Sequence, residues 1–424
     1  MKNMFNKLFQ DKFLRHNFIF FCGSILVAFF NYLYHPILSR MMDVESFGEV
    51  QALISLFLLF SMIIGVFRTI VINIVANAQE IKEKQELILM LQKVGLYIVS
   101  SFSLLIIILS SQLKLFFNFD SIYPFISLAV LLVLSLFFTF RSAILQALHR
   151  FVEVSIANIY LSAGRLIFAV LLVYIGWASF GAITAIVLSQ FLALIYVYLK
   201  TSNHLMTLAK AKVKITSQIK KELSYAFLVF SATLCITFLY SADVIIIKHY
   251  FPADQAGFYS GIATIARIIF FITASVAGVL ISHIKIENPD KENKKTLKKS
   301  LFLVGGLGGV ALLIFLVFPD IVIKVLIGQR YLEYANLLPR LSLLLFLVSV
   351  INVFFFYYLA LRKYFLALIA ILSPLSVIIL SYFGHDSLLQ IINNFLLVSV
   401  FILIALLFRF LWQFLSVKQN KIYG

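Results

Sequence analysis

The sequence predicts an all-α integral membrane protein with twelve transmembrane helices in two six-helix lobes related by a parallel repeat. Its composition is 62% hydrophobic and 12% charged, and its mean hydropathy is +1.03. Soluble domains carry roughly 25% charged residues, so a water-soluble fold is excluded. The apolar runs are continuous over about 20 residues, as helical spans require, whereas barrel strands alternate over about 10.

Twelve apolar runs are long enough to cross a bilayer. The first run is longer than the roughly 7 to 15 apolar residues of a signal peptide and lacks a small-residue cleavage site, so we expect it to be retained as a span. The runs lie at 17–38, 48–75, 94–112, 121–147, 152–176, 179–199, 225–247, 257–283, 301–318, 337–361, 364–382 and 388–410.

Two short segments recur about half a chain apart. Leu38–Ala52, a charged break between the first two runs, is echoed 209 residues later by Ile247–Gly261. Ala147–Phe151, ALHRF, is echoed 213 residues later by Ala360–Tyr364, ALRKY. Because each half holds an even number of spans, equivalent elements keep one orientation, which is a parallel repeat about an axis along the membrane normal.

A long hydrophilic connection divides the two lobes. We predict an N-terminal lobe at 1–199, a basic cytoplasmic linker at 200–224 and a C-terminal lobe at 225–424. The linker is expected to lie on anionic headgroups, with a regulatory or partner-binding role as the alternative, and the 285–300 loop is interpreted in the same way.

The net charge of +17 is explained by topology and predicts no nucleic-acid partner. With the N-terminus inside, 24 of the 35 Lys and Arg fall in cytoplasmic segments, five fall outside and six lie within or at the ends of spans. This is the positive-inside pattern, which predicts that both termini are cytoplasmic.

Enzymatic and metal chemistry have no motif in the chain. No G-x-x-x-x-G-K-S/T loop is present, the seven histidines are scattered, and no loop clusters an acid with a base. Cys22 and Cys235 lie inside apolar runs and are interpreted as small buried hydrophobes. We therefore expect no catalytic residues, no metal and no cofactor.

Arginines inside the spans are the candidate transport site. A charge at the bilayer centre costs about 3 kcal/mol on insertion scales, so each arginine should face a wet cavity or a partner. Arg165 and Arg267 fall near the midplane, one in each lobe. We expect them to line a cationic cavity; the alternative is a structural pair with a carboxylate or with helix-end carbonyls.

Other polar residues within the spans have less defined roles. Arg68 and Arg141 lie deep toward the cytoplasm and are further cavity candidates. Asp243, near the outer face, is a candidate for binding a coupling H+ or Na+, or else a partner of Lys248 or Arg40 or a helix-end residue. The amides at 31, 73, 158, 190 and 352 are interpreted first as interhelical hydrogen-bonding groups and second as cavity lining. Gly305 and Gly309 predict a close helix contact.

Four motifs, in their order and spacing, resemble those of a known family. They are Arg40–Gly48, Gln146–Phe151, Asp243 to Tyr259 and Gly328–Tyr331. With twelve spans, the chain resembles an oligosaccharide flippase of the polysaccharide transporter family, in the multidrug/oligosaccharidyl-lipid/polysaccharide exporter superfamily.

The resemblance implies two lobes in a V around a central cavity, alternating between inward-open and outward-open states in the bacterial plasma membrane. It implies a cargo of undecaprenyl-diphosphate-linked sugar units for surface polysaccharide. A guanidinium pairs with phosphate oxygens in a bidentate way, which suits that cargo. The alternatives are a peptidoglycan-precursor flippase, a small-molecule exporter and, in another class, an integral-membrane polymerase or ligase.

Overall fold

The computed structural model describes the backbone of residues 12–77, 81–205, 217–284 and 290–420. Side chains are described at 23–72, 88–201, 224–280, 283–284 and 291–412. Within these ranges every regular element is a helix. The all-α prediction is confirmed.

Seven helices begin before the predicted linker at 200–224, and seven begin within it or after it. The first set is α1 (Lys12–Met41), α2 (Val44–Asn77), α3 (Ile81–Ile108), the short α4 (Ser110–Phe116), α5 (Tyr123–Ala147), α6 (Phe151–Tyr174) and α7 (Ala178–Leu205). The second set is α8 (Ser217–Tyr250), α9 (Ala253–His283), α10 (Asp290–Val317), the short α11 (Pro319–Leu326), α12 (Leu337–Ala360), α13 (Phe365–Phe383) and α14 (Leu388–Asn420). A 3₁₀ helix, Gln329–Tyr334, lies between α11 and α12.

Eleven helices in the described part of the chain are long and apolar enough to cross a membrane. They correspond to the second through twelfth predicted runs. The first run, 17–38, falls within α1, and its residues up to Cys22 lie outside the described side chains. The chain is therefore a multi-pass membrane protein, and the predicted number of spans agrees with the helices to within this one segment.

The chain folds into two compact units, Met1–Ala226 and Phe227–Gly424. The division falls inside α8, two residues beyond the predicted linker. The middle of that linker, 206–216, lies outside the described residues.

Both copies of the first repeated segment form a hairpin with a two-residue turn. Helix α1 ends at Met41 and α2 begins at Val44, while α8 ends at Tyr250 and α9 begins at Ala253. Equivalent boundaries are thus 209 residues apart, as the sequence echo is. In the first turn the Asp43 carboxylate accepts a hydrogen bond of 2.7 Å from the backbone N–H of Ser46, which caps the start of α2.

Both copies of the second repeated segment form the same helix-terminating turn. His149 and Arg362, 213 residues apart, each adopt a positive φ, 57° and 51°. The N–H of Arg150 donates to Leu145 O at 2.9 Å, and the N–H of Lys363 donates to Tyr358 O at 3.0 Å. The N–H of His149 also donates to Gln146 O, and the N–H of Arg362 donates to Leu359 O, both at 3.0 Å. The two bonds at each turn form the Schellman pattern, here built on non-glycine residues.

The prediction of a loop at 285–300 is partly wrong, because α10 begins at Asp290 and carries the lysine-rich stretch on its first turns. Asn293, Leu297, Ser300 and Val304 are buried at intervals of three to four residues, so one face of this stretch packs against the fold while the lysines at 291, 295, 298 and 299 are exposed. The density of lysine conceals this stripe in the sequence.

The expected contact at Gly305 and Gly309 is also wrong. A Cβ added at either position would meet nothing within 4 Å, whereas one at Gly308 would lie 3.1 Å from Phe346 Cδ2 and 3.2 Å from Thr273 Cγ2. The close approach of α10 to α9 and α12 is therefore at Gly308.

Candidate functional site

Small residues bring α6 close to two neighbouring helices of the first unit. A Cβ on Gly23 of α1 would lie 3.0 Å from Ser155 Cβ, and one on Gly164 of α6 would lie 3.1 Å from Ser189 Cβ of α7. Membrane helices use such small residues because the hydrophobic effect does not drive their association. These contacts set the position of α6, which carries Arg165.

A cavity of about 220 Å³ opens between α1, α2, α6 and α7. One face of α6 lines it at the spacing i, i+3, i+4, i+7, and the space is well above the roughly 30 Å³ that one water takes up. Its polar lining comprises Asn31, Asn158, Ser162, Arg165, Ser189 and Gln190, and its apolar lining comprises Val27, Phe57, Leu161 and Ile186.

Arg165 enters this cavity with most of its hydrogen-bonding capacity unused. The guanidinium carbon lies 4.3 Å from the centre of the Tyr34 ring, and Nη2 makes a long contact of 3.5 Å with the Asn31 carbonyl oxygen. The Arg165 Nε is buried and finds no acceptor among the described residues. Tyr34 itself is fully buried, and its hydroxyl donates to the Ala182 carbonyl at 3.3 Å.

Gln190 adds a second unused donor. Its side chain is 6% exposed, and its Nε2 has no acceptor in the part of the chain that the structure describes. The two serine hydroxyls donate to backbone carbonyls, Ser162 to Asn158 at 3.0 Å and Ser189 to Ile186 at 2.9 Å. No carboxylate is among the lining residues, so the cavity presents N–H donors and one positive charge, which suits an anionic ligand rich in acceptor oxygens.

Arg267, in the second unit, has a different environment. Its Nη2 lies 2.9 Å from Asp243 Oδ1 and 3.3 Å from the Ser241 carbonyl oxygen, and the Tyr259 hydroxyl donates to Asp243 Oδ2 at 2.8 Å. Arg267 is 4% exposed and Asp243 is 2% exposed. The arginine and the carboxylate form a buried, neutral pair between α8 and α9.

The sequence pointed to Lys248 or Arg40 as the structural partner of Asp243, and the structure places Arg267 there instead. Asp243 and Arg267 are 24 residues apart on opposite arms of a helical hairpin.

Arg68 and Arg141 do not line the Arg165 cavity. Arg68 is exposed, and its Nη2 donates to Gln146 Oε1 at 2.8 Å. Arg141 lies over the Tyr198 ring at 4.6 Å and donates to Thr201 Oγ1 at 3.1 Å. The four arginines named from the sequence therefore occupy four separate environments, each within its own unit.

Tyr34 was missed by the sequence reasoning. The chain has 19 tyrosines, and one of them within an apolar helix does not by itself indicate a functional residue. The contact with Arg165 depends on which helices are neighbours. The amides at 31, 158 and 190 were interpreted first as interhelical hydrogen-bonding groups, and all three line the cavity. The described residues contain no group of three His, Cys, Asp or Glu side chains suited to a metal.

Solved structures of transporters share this fold. The protein titled "Lipid II flippase MurJ, inward closed conformation" matches with a TM-score of 0.70 and 14% identity, over 96% of this chain and 91% of that one. An inward-facing multidrug resistance MATE family transporter of the MOP superfamily matches with a TM-score of 0.69 and 12% identity, over 93% and 95%. The eukaryotic MATE transporter AtDTX14 matches at 0.61 and 13%, over 93% and 96%.

Sequence comparison identifies the family. A search of curated proteins finds no match. The family model described as "Polysaccharide biosynthesis protein" matches residues 13–284, which is more than half of the chain and includes all four helices around the Arg165 cavity. The chain thus belongs to the polysaccharide biosynthesis protein family and has the fold of the MOP transporters.

Proposed function

We propose that the chain is a flippase that carries undecaprenyl-diphosphate-linked oligosaccharides across the bacterial plasma membrane for surface polysaccharide synthesis. It works by alternating access, has both termini in the cytoplasm, and binds the diphosphate at Arg165. The observation that carries the proposal is the carboxylate-free cavity in which Arg165 Nε and Gln190 Nε2 have no acceptor among the described residues.

The chemistry of the cargo suits this cavity. A diphosphate diester is a compact anion that must pass an apolar layer, and ionised hydrogen bonds to phosphate are roughly twice as strong as neutral ones. Arginine presents a planar fork of donors that matches phosphate geometry. The amides of Asn31, Asn158 and Gln190 provide further groups for phosphate or sugar oxygens.

Arg267 has a different proposed role from Arg165. Its charge is already compensated by Asp243 through Nη2, so we assign it to the buried pair and not to the diphosphate. Coupling to H+ or Na+, if it acts through Asp243, must displace a bond that exists: a proton would weaken the bond from Arg267, and a sodium ion would compete with it. Arg68 and Arg141, bonded to Gln146 and Thr201, belong to an earlier contact on the cytoplasmic side of the cargo's path rather than to the cavity.

The second candidate is a peptidoglycan-precursor flippase, which is favoured by the likeness to the lipid II flippase. Its cargo also bears a diphosphate, so the Arg165 cavity suits either glycan. An exporter of organic cations is favoured by the MATE likeness but fits the cavity less well, because Arg165 would repel a cation and no lining carboxylate would attract one.

Replacing Arg165 with Ala tests the proposal directly. The change should lower the flipping rate by about tenfold or more, because a hydrogen bond to a charged group contributes about 1.5–3 kcal/mol. The assay uses proteoliposomes containing fluorescent undecaprenyl-diphosphate-linked N-acetylhexosamine and, in parallel, fluorescent lipid II, with accessibility to an impermeant quencher as the readout.

Arg340→Ala is the matched control, since Arg340 is exposed in the second unit, and it should flip at the wild-type rate. Flipping of lipid II alone would select the second candidate. Equal activity of wild type and Arg165→Ala toward both lipids would overturn the assignment of the cavity.

A further inference from the structure

The internal repeat places Tyr34 and Asp243 at equivalent positions of the two units. The two residues are 209 positions apart, the spacing that also relates the ends of α1 and α8 at Met41 and Tyr250. Each lies seven residues before the end of its helix, so no insertion separates it from the repeated hairpin. Tyr34 and Asp243 therefore occupy equivalent positions in the two units.

Each of these residues contacts the deeply placed arginine of its own unit. Tyr34 lies under the Arg165 guanidinium at 4.3 Å from ring centre to the guanidinium carbon. Asp243 binds Arg267 through an N–O distance of 2.9 Å. One position of the repeat thus contacts an intramembrane arginine in both units, with a ring in the first and a carboxylate in the second, although the arginines come from non-equivalent helices, α6 and α9.

The two partners leave the arginines in different chemical states. An aromatic face attracts a guanidinium through its quadrupole and takes no N–H in a hydrogen bond. The charge of Arg165 therefore has no carboxylate to compensate it within the cavity. A carboxylate compensates the charge, as Asp243 does through Nη2 of Arg267; the Nε atoms of both arginines lack an acceptor among the described residues, so the difference between them is one of charge.

We infer that Tyr34 is a positioning residue for anion binding: its ring holds the Arg165 guanidinium at the cavity and leaves the positive charge uncompensated, whereas a carboxylate at this position would pair with that charge, as Asp243 does with Arg267. The inference rests on the proposed binding of a diphosphate at Arg165 and adds the residue that positions it.

The test changes Tyr34 and measures binding of farnesyl diphosphate, a short polyprenyl diphosphate, to the purified full-length protein in nanodiscs by isothermal titration calorimetry. Tyr34→Asp places at residue 34 the carboxylate that the second unit has at the equivalent position, and it should raise Kd by about tenfold or more, because the new carboxylate competes for Arg165. Tyr34→Phe keeps the ring, loses only the 3.3 Å bond to Ala182, and should bind within about twofold of wild type.

Tyr32→Asp is the matched control. It makes the same substitution two residues away on α1, where Tyr32 is exposed and lines no part of the cavity, and it should leave Kd unchanged. If Tyr34→Asp fails to fold, Tyr34→Leu decides the question, since it removes the ring without adding a charge and should weaken binding several-fold while Tyr34→Phe does not.

Two failures can be told apart. Unchanged binding in Arg165→Ala would overturn the proposed diphosphate site itself. Loss of binding in Arg165→Ala, with wild-type binding in both Tyr34→Asp and Tyr34→Leu, would overturn only the role of Tyr34. Equal weakening in Tyr34→Phe and Tyr34→Leu would also overturn it, because the hydroxyl and not the ring would then be responsible.

Discussion

Arginine is an expensive residue to place in a membrane helix, and this chain satisfies two such residues by different means. Arg165 has an aromatic face, one long carbonyl contact and a cavity, whereas Arg267 has a carboxylate. The first arrangement leaves a positive charge exposed to a cavity and the second removes it. In the proposed function, Arg165 binds the cargo, whereas Arg267 stabilises the second unit through its ion pair.

Breaking the Arg267–Asp243 pair should destabilise the second unit strongly. Asp243→Asn or Arg267→Gln leaves one charge buried without its partner, and such changes cost about 3–5 kcal/mol. Thermal unfolding in detergent, followed by the fluorescence of an added dye, should show a lower Tm for each single variant. The exposed Lys324→Gln is the control and should shift stability by less than about 0.5 kcal/mol.

The double variant Asp243→Leu with Arg267→Met provides the sharper comparison. Removing both charges leaves an apolar contact, and replacement of a whole buried pair is often neutral or stabilising. We expect the double variant to be more stable than either single variant. If the loss of stability in the double variant equals the sum of the losses in the two single variants, the two residues act independently.

The sequence predicted these residues individually but not their partners. A charge inside an apolar run is visible in one dimension, so Arg165, Arg267 and Asp243 were found. Their environments depend on helix neighbours: Tyr34 and Arg165 come from α1 and α6, and no pattern in the chain links them. The expected midplane cavity with one arginine from each lobe stays a prediction, since the contacts that place each arginine lie within its own unit.

At the scale of elements, each copy of the repeated hairpin has a two-residue turn. In the second hairpin, the arm α9 packs against the 3₁₀ helix. A Cβ on Gly261 would lie 2.4 Å from Tyr331 Cε1, so α9 and the fully buried Tyr331 ring fit only because residue 261 is glycine. The motif Gly328–Tyr331 and the end of the repeated hairpin therefore form one contact.

Gly261→Ala should lower the free energy of unfolding by about 1–3 kcal/mol, because the added methyl group forces the ring or the helix to move. Gly305→Ala is the control: residue 305 is exposed within α10 and its Cβ would meet nothing within 4 Å. That change should be neutral or stabilising by up to about 1 kcal/mol. Unfolding in detergent measures both, and equal stability of the two variants would contradict the packing described.

At the scale of the whole molecule, length and apolarity of the spans were predictable because lipid requires them. The helical class, the spans from the second onward and the spacing of both repeated turns follow from runs of apolar residues and from two sequence echoes. Helix ends were less predictable where charge hides a buried face, as in the first turns of α10, and where short helices occupy a connection, as in α11 and the 3₁₀ helix. Orientation in the membrane rests on the lysine distribution and stays a prediction.

Cysteine labelling tests that orientation. In a background with Cys22 and Cys235 replaced by Ala, Asp254→Cys lies at the exposed start of α9 and Lys295→Cys lies on the exposed face near the start of α10, at the other end of a span. The positive-inside pattern predicts that an impermeant maleimide labels the first variant in intact cells and the second only after permeabilisation. The reverse pattern would invert the topology of the whole chain.

The Arg267–Asp243 pair also has a consequence for biogenesis. Inserted singly, α8 would carry an unpaired carboxylate and α9 an unpaired guanidinium, each at a cost of about 3 kcal/mol in the insertion machinery. The turn between the two helices is only two residues long, so both arms are close together as soon as α9 has been synthesised. The hairpin is thus suited to leave the translocon as one neutral unit, and its ion pair would form before most of the other contacts of the second unit exist.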